Sequence, residues 1–288
     1  MMHQNIARAA VCASVLACTL PAQAATFSDT SIGYRYGTEY AEPFNPKAVA
    51  KDIINFNHIS GYKYGTNFFN IDLLSSDSVD PAGAGSSNGA QEVYVVYRNT
   101  VELEKLTGTS YAFGPVRGVG ITGGFDYNTK NDAGYNSKKR MLVAGPTFMM
   151  DVHGFLNLSV LLLWESNAPY STFSKVSTPR YNYDTHAMIG AAWGIPFSIG
   201  ALPLSFEGFA NFIDAKGKNE SGGDTAAETN IDMQVMYDLS PALGVAPKSL
   251  KVGLEYQYWK NKFGNNSDGI AGPGAFAKTP MVRVEYHF

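Results

Sequence analysis

Apolar and ionisable residues alternate through the closing stretch of the chain, where Val282, Val284, Tyr286 and Phe288 are separated by Arg283, Glu285 and His287. A period of two puts alternate side chains on opposite faces of an extended strand. Three ionisable groups on one face make a poor dry core, but they suit the wet interior of a barrel whose other face meets lipid. The pattern recurs upstream. Leu250, Val252, Leu254, Tyr256 and Tyr258 oppose Lys251, Gly253, Glu255, Gln257 and Trp259, and Ile231, Met233, Val235 and Tyr237 oppose Asp232, Gln234, Met236 and Asp238. Leu204, Phe206, Gly208, Ala210 and Phe212 oppose Ser205, Glu207, Phe209 and Asn211. Ala187, Ile189, Ala191 and Trp193 oppose His186, Met188 and Gly190, while Leu156, Leu158, Val160, Leu162 and Trp164 oppose Asn157, Ser159 and Glu165. Val119, Ile121, Gly123 and Phe125 oppose Thr122 and Asp126, whereas the stretch from Arg140 to Met150 has no decided polarity.

About twelve such segments begin near Ser31, Lys51, Asn67, Gln91, Arg117, Lys139, Phe155, Tyr183, Leu204, Thr229, Leu250 and Lys278. An even number lets both chain ends lie on the periplasmic side of an outer membrane. Long polar stretches (39–50, 75–90, 128–137, 166–182, 214–228 and 260–277) alternate with shorter joins such as Tyr64-Gly65-Thr66 and 151–154. Tyr34/Tyr36, Tyr62/Tyr64, Phe125/Tyr127, Trp164, Trp193 and Tyr256/Tyr258 fall at strand ends, where interfacial belts place amphipathic rings. The longest clean apolar run, Val160 to Trp164, is strand-sized, so no helix of the mature chain would span a bilayer. The expected fold is therefore all-β, a transmembrane antiparallel barrel over residues 25–288.

Residues 1–24 read as a signal peptide. His3 and Arg8 precede an apolar stretch from Ala9 to Leu20, and Ala22-Gln23-Ala24 is a small-x-small cleavage site. Val15-Leu16-Ala17-Cys18 has the form of a lipoprotein box but would cut inside an already short apolar region. Both cysteines, Cys12 and Cys18, lie in this leader, so the mature chain of 288 − 24 = 264 residues has neither a disulfide nor a Cys-ligated metal.

Composition narrows the function. Charged residues make up 16% of the chain, below the roughly 25% of soluble domains, and the 17 Phe, 17 Tyr and 29 Gly favour strands and turns. A net charge of -3 without a basic block leaves no surface suited to nucleic acid. Gly118 to Gly123 matches GxGxxG but lies inside an alternating strand with no helix after it, so these glycines read as narrow lumen or packing positions. Gly85-Ser86-Ser87-Asn88-Gly89 matches GxSxG in a Gly/Ser loop that offers no strained elbow. His58, His153, His186 and His287 are too scattered for metal-ligand spacing, so no metal and no cofactor are expected. His58-Ile59-Ser60 has the His-x-Ser spacing of a lipid A deacylase family, but no Asn follows. The acidic, Gly-rich stretch 214–228 lacks an EF-hand ligand order.

The segment from Leu103 to Pro115, LEKLTGTSYAFGP, resembles the L/I-x-K-L-T-x-T-x-x-x-F-G-P stretch of the Tsx-like nucleoside-specific channel-forming outer-membrane proteins, where it follows the fourth strand. Weaker echoes are Ser28-Asp29, Phe44-Asn45-Pro46 and the closing Val284 to Phe288. The resemblance implies a monomeric barrel of twelve strands with a narrow channel for nucleosides and deoxynucleosides. That family's lumen residues do not map one for one. The candidate lumen set is instead taken from strand parity: Arg35, Asn55, Asn57, Asp72, Tyr94, Arg98, Asp126, Glu165, His186, Glu207, Phe209, Asp232, Gln257, Trp259 and Arg283.

The reading is a passive outer-membrane channel and not an enzyme. Its partners are outer-membrane lipid, a small polar solute and, through the terminal Phe288, the barrel-assembly machinery. Two rivals differ in kind. An outer-membrane deacylase, phospholipase or protease would gather Ser, His and an acid at one rim, and an adhesion or phage-receptor barrel would have a blocked lumen.

Overall fold

The computed structural model describes residues 25–80, 89–132, 134–171 and 175–288. The proposed leader therefore lies outside the described residues, as does most of the GxSxG stretch. Twelve long strands form one antiparallel sheet: β1 (Phe27–Glu42), β2 (Asn45–Tyr62), β3 (Gly65–Ser76), β4 (Gln91–Glu102), β5 (Val116–Asn131) and β6 (Lys138–Met150). They are followed by β7 (Phe155–Asn167), β8 (His186–Ile199), β9 (Leu202–Ile213), β10 (Glu228–Asp238), β11 (Leu250–Lys260) and β12 (Phe276–His287). Each pairs with its sequence neighbours, and β1 closes on β12 with Ser31 opposite His287 and Tyr36 opposite Val282. Closure leaves no sheet edge with unpaired backbone, which hydrocarbon would not tolerate.

The chain ends share one end of the barrel with the joins 63–64, 103–115, 151–154, 200–201 and 239–249. The other end carries 77–90, 132–137, 168–185, 214–227 and 261–275, within which short strands at Tyr135–Asn136, Tyr170–Ser171 and Val176–Ser177 form a small sheet of their own. Short periplasmic turns and long external loops identify the second end as the outer mouth. The expected long loop at 39–50 is instead the paired tips of β1 and β2 around a two-residue turn, with Glu42 opposite Asn45. Its polar residues had suggested a loop, yet Glu42 and Lys51 satisfy each other across the hairpin at 2.5 Å.

Outside, the wall is apolar at mid-height, with Ile54, Ile121, Val160, Ile189, Leu254 and Val282 exposed. Rings border this band, including Tyr36, Tyr127 and Trp164 toward the mouth and Trp193 packed at a tilt against Phe206 toward the other end. Strands of 11–18 residues exceed the 9–11 that a tilted strand needs to cross a bilayer, so the barrel has the surface and height of an outer-membrane protein. No described helix is long and apolar enough to cross a membrane.

Inward side chains are the other parity. A register shift between Gly37 and Tyr40 turns Tyr40 and Glu42 to the interior, beyond any candidate on β1. The undecided stretch 140–150 is β6, whose inner face is itself apolar. Val143 packs there with Leu161, Leu163 and Met188, flanked by Met141 and Ile213. Both faces of that strand are greasy, so no alternation marks it.

Gly120 and Gly124 of β5 face the interior and serve close packing. A Cβ on Gly124 would fall 2.1 Å from the Tyr97 carbonyl oxygen, and one on Gly120 would fall 2.7 Å from Thr100 Cγ2, while at Gly123 the nearest atom is 4.0 Å away. Gly124→Val is therefore expected to cost about 1–3 kcal/mol of overpacking, whereas Gly123→Val, on the lipid side, is expected to be near neutral. Urea unfolding of each variant in vesicles measures the difference.

Candidate functional site

The barrel interior is a network of compensated charges. At mid-height Arg35 reaches Asp72 at 2.6 Å and Glu255 at 2.9 Å, and Arg283 reaches the same Glu255 at 2.8 Å. Asn55 donates to Asp72 and Asn70, Asn57 donates to Asn70, and Gln257 donates to Asp232. Beside them, Arg98 pairs with Asp126 at 2.5 Å, and Tyr94 donates its hydroxyl to the same carboxylate at 3.2 Å. Toward the mouth Glu165 receives Lys139 at 2.8 Å and Lys216 at 3.0 Å, with His186 Nε2 at 4.0 Å. Lys216 also reaches Glu228, which accepts the Trp259 indole N–H at 3.1 Å. Near the periplasmic end Glu207 pairs with Lys251 at 3.2 Å and accepts from Ser205 and Gln234.

All fifteen parity candidates thus lie on strands with their side chains on the interior face. Arg35, Asn55, Asn57, Asp72, Asp232, Gln257 and Arg283 are brought together, as are Tyr94 with Arg98 and Asp126, and Glu165 with His186 and Trp259. Glu207 sits apart, and Phe209 lies opposite Asp232 on the neighbouring strand. The interior differs from the expected water-filled bore. Arg35 is 8% exposed, Asn55 1% and Leu163 0%, whereas the Asp72 and Arg98 side chains keep 19% each, so paired side chains narrow the middle of the barrel. Twelve strands give a bore wider than the side-chain-filled eight-stranded barrels, and here long paired side chains occupy much of it.

Sequence reading missed the groups that close the mouth. Glu42 on β1 receives Lys51 at 2.5 Å, Lys262 at 2.9 Å and Lys130 at 3.2 Å, and Lys130 reaches Asp80 at 2.7 Å. Lys216 and Lys262 come from the outer loops 214–227 and 261–275 and turn back into the barrel, with Lys216 only 1% exposed. No periodicity marks such residues; Glu255 carried the parity signal that would have found it. Burial would push the Lys216 ammonium down, but Glu165 and Glu228 outweigh it and hold its pKa above the usual lysine range. For Lys262 burial prevails over Glu42, and its pKa falls. Burial and the nearby Glu42 raise the Asp80 carboxyl, which Lys130 and Lys51 only partly offset.

Between these clusters the outer mouth holds a cavity of about 280 Å³. Phe44, Tyr135, Tyr183 and Phe263 line it together with Asn45, Asn128, Asn167 and Asn265. Its charged lining is acidic: Glu42, Asp80, Glu92, Asp132 and Glu220 against Lys130 and Lys139. Phe44 and Phe263 both adopt left-handed backbone, at φ 67° and 59°, a costly conformation for bulky residues that tends to collect at ligand sites. Among the described residues several inward polar atoms lack a hydrogen-bond partner, namely Arg35 Nε, Asn55 Oδ1, Asn157 Oδ1, His186 Nε2 and Asn230 Oδ1. They mark positions along the bore where a solute or water would satisfy an otherwise costly buried group.

The histidines do not converge. His58 Nδ1 meets the Thr30 hydroxyl at 2.8 Å, His186 Nδ1 meets the Asp184 carbonyl at 2.8 Å, and His287 bridges Asp29 and Glu285. Among the described residues no group of three His, Cys, Asp or Glu side chains is arranged to hold a metal ion.

No protein-family model matches the chain, and no curated protein sequence does. Solved structures with a similar fold include the KdgM porin, at 11% identity and a TM-score of 0.41 over 90% of this chain and 99% of that one. The COG4313 outer membrane channel from Pseudomonas putida F1 aligns at 13% identity and a TM-score of 0.46 over 94% of this chain and 97% of that one. The translocator domain of the autotransporter NalP from Neisseria meningitidis aligns at 11% identity and a TM-score of 0.45, covering 98% and 95%. These likenesses are of fold only and do not distinguish a solute channel from a translocator barrel.

Proposed function

We propose that this protein is a passive outer-membrane channel for small, neutral, polar solutes bearing an aromatic or heterocyclic ring, with nucleosides the favoured class. The outer-mouth cavity carries this reading. It combines two strained phenylalanines with amide and carboxylate groups suited to a flat ring joined to hydroxyls. The LEKLTGTSYAFGP join between β4 and β5 supports the nucleoside class by its resemblance to Tsx-like channels.

The physics asked of such a site is modest. A base stacked on an exposed ring gains about 1–3 kcal/mol, and ribose hydroxyls bond asparagine or carboxylate oxygens in place of water. The five lining carboxylates are offset by Lys130 and Lys139 in the lining and by Lys51 and Lys262 behind it, so the mouth keeps only a small acidic excess, around Glu220, that favours a nucleoside over its nucleotide. Deeper in the bore, the unpartnered atoms of Arg35, Asn55 and Asn230 supply shallow sites in series, each weak enough to release its solute. Passage requires the packed side chains to swing aside on loop and rotamer timescales rather than an open aqueous bore.

The Phe44 ring is exposed and Tyr135 partly so, which makes them the available stacking partners. Phe44→Ala and Tyr135→Ala are each expected to weaken adenosine binding roughly 5- to 150-fold, the equivalent of one lost stack. Calorimetric titration of the detergent-solubilised protein measures this. Unchanged affinity in both variants would remove the cavity from the pathway.

A further inference from the structure

Nearly every interior cation has a carboxylate partner, which makes one cluster on the outer wall stand apart. Lys138 and Arg140 are exposed at the outer end of β6, on the face that also carries Leu142. Arg140 lies opposite Tyr127 of β5 and Ser166 of β7, and Trp164 lies opposite Leu142 just below. Arg180, in the loop 168–185, is brought onto the same patch. Its guanidinium donates to Ser166 Oγ at 2.9 Å and to the Lys138 carbonyl at 2.9 Å. These are its two hydrogen bonds among the described residues, and they hold a third positive charge beside Arg140. Among the described residues no carboxylate forms an ion pair with Lys138, Arg140 or Arg180. The neighbouring charges go unrelieved, since partial burial and Arg140 together lower the Arg180 pKa.

Height decides what this cluster meets. Phe125, Tyr127, Leu142 and Trp164 form the upper border of the apolar wall; Arg140 stands opposite Tyr127 and two residues beyond Leu142, Lys138 two residues farther, and Arg180 is held against both by Ser166 and the Lys138 carbonyl, where lipid phosphates lie. We propose that Lys138, Arg140 and Arg180, with the Ser166 hydroxyl, form a binding site for the phosphorylated headgroup of an outer-leaflet lipid. Arg180 is a fixed fork suited to bidentate phosphate contact, and Lys138 and Arg140 add charge from the adjacent strand. Trp164 and Tyr127 contact the first acyl carbons below.

This assignment rests on the membrane-embedded orientation, with the loop end outward, but not on which solute passes. The test uses the full-length protein refolded in zwitterionic detergent, with folding checked by heat-modifiable gel mobility. Native mass spectrometry then counts retained lipopolysaccharide. Wild type is expected to retain it, and the Lys138→Ala/Arg140→Ala/Arg180→Ala variant is expected to bind about a hundredfold more weakly, as the loss of three interfacial cations implies. Should the triple variant fail to fold, Arg140→Gln alone is expected to lose about fivefold. Enzymatically dephosphorylated lipopolysaccharide should bind wild type as weakly as the variant does. Equal retention by wild type and variant, indifference to dephosphorylation, or full displacement by millimolar inorganic phosphate would each overturn a headgroup site. Solute flux of the variant in phosphatidylcholine liposomes is expected to match wild type, so failure of the channel reading would appear there and not in lipid retention.

Discussion

Leu254→Arg is expected to destabilise the inserted barrel by about 2–4 kcal/mol, the cost of an arginine facing lipid near the bilayer midplane. Leu254 is the most exposed leucine of the apolar wall, at 69%, and lies opposite Val235 and Val282 on the neighbouring strands. Tyr258→Arg, four residues nearer the mouth on the same face, is expected to cost only about 0–1 kcal/mol because an arginine there reaches the headgroups. The contrast in depth is what makes the pair informative. A soluble barrel would show no such gradient of depth, since water would meet the exposed Leu254 and the half-buried Tyr258 alike. Reversible urea unfolding in thin phosphatidylcholine vesicles yields both values. Equal costs at the two sites would contradict a lipid-facing wall.

Glu165→Gln is expected to cost about 3–5 kcal/mol, the usual penalty for stranding a buried charge by removing its partner. Glu165 receives both Lys139 and Lys216, and Lys216 has only Glu228 left when it is gone. Loss of the clasp also frees the loop 214–227 from the interior, so limited proteolysis at that loop should quicken. Lys216→Met is the milder change. Glu165 keeps Lys139, and Glu228 keeps the Trp259 indole and the Phe263 amide. Combining the two should cost less than the sum of the single changes, because each removes the same interaction. The pH dependence has a definite sign. The Lys216 pKa is raised in the folded protein, so its contribution is fully present below the ordinary lysine range and is lost only as pH climbs through the raised value. Alkaline titration to about pH 10 should therefore leave the loop clasped.

How much of this was legible depended on whether the two faces of a strand differ. β12 was readable because Arg283, Glu285 and His287 alternate with Val282, Val284 and Tyr286, and the same holds for β10 and β11. β6 was not, because Met141 and Val143 point into an apolar interior cluster while Leu142 and Ala144 point to lipid. The hairpin at 43–44 reads as a loop because Glu39, Glu42, Asn45 and Lys47 are polar and Pro43 and Pro46 break the pattern; burial and pairing of Glu42 with Lys51 extend the strands instead. Parity placed all fifteen candidates inside, yet it said nothing of how full the interior is. Packing follows from side-chain length and charge pairing across strands distant in sequence, as with Arg35 and Glu255. The clasping lysines Lys216 and Lys262 belong to loops, where no repeat relates position to direction. The basic patch at Lys138, Arg140 and Arg180 emerges only once the loop 168–185 folds back over β7.

A closed barrel with compensated interior charge and an acidic, ring-lined mouth should pass neutral heterocyclic solutes and reject anions. The most direct measurement is the swelling of phosphatidylcholine liposomes containing the wild-type protein in isosmotic adenosine, adenosine monophosphate and a hexose. The account predicts fastest swelling in adenosine, slower swelling in the hexose and none above the protein-free background in the nucleotide. No swelling in any solute, or equal rates in all three, would contradict it.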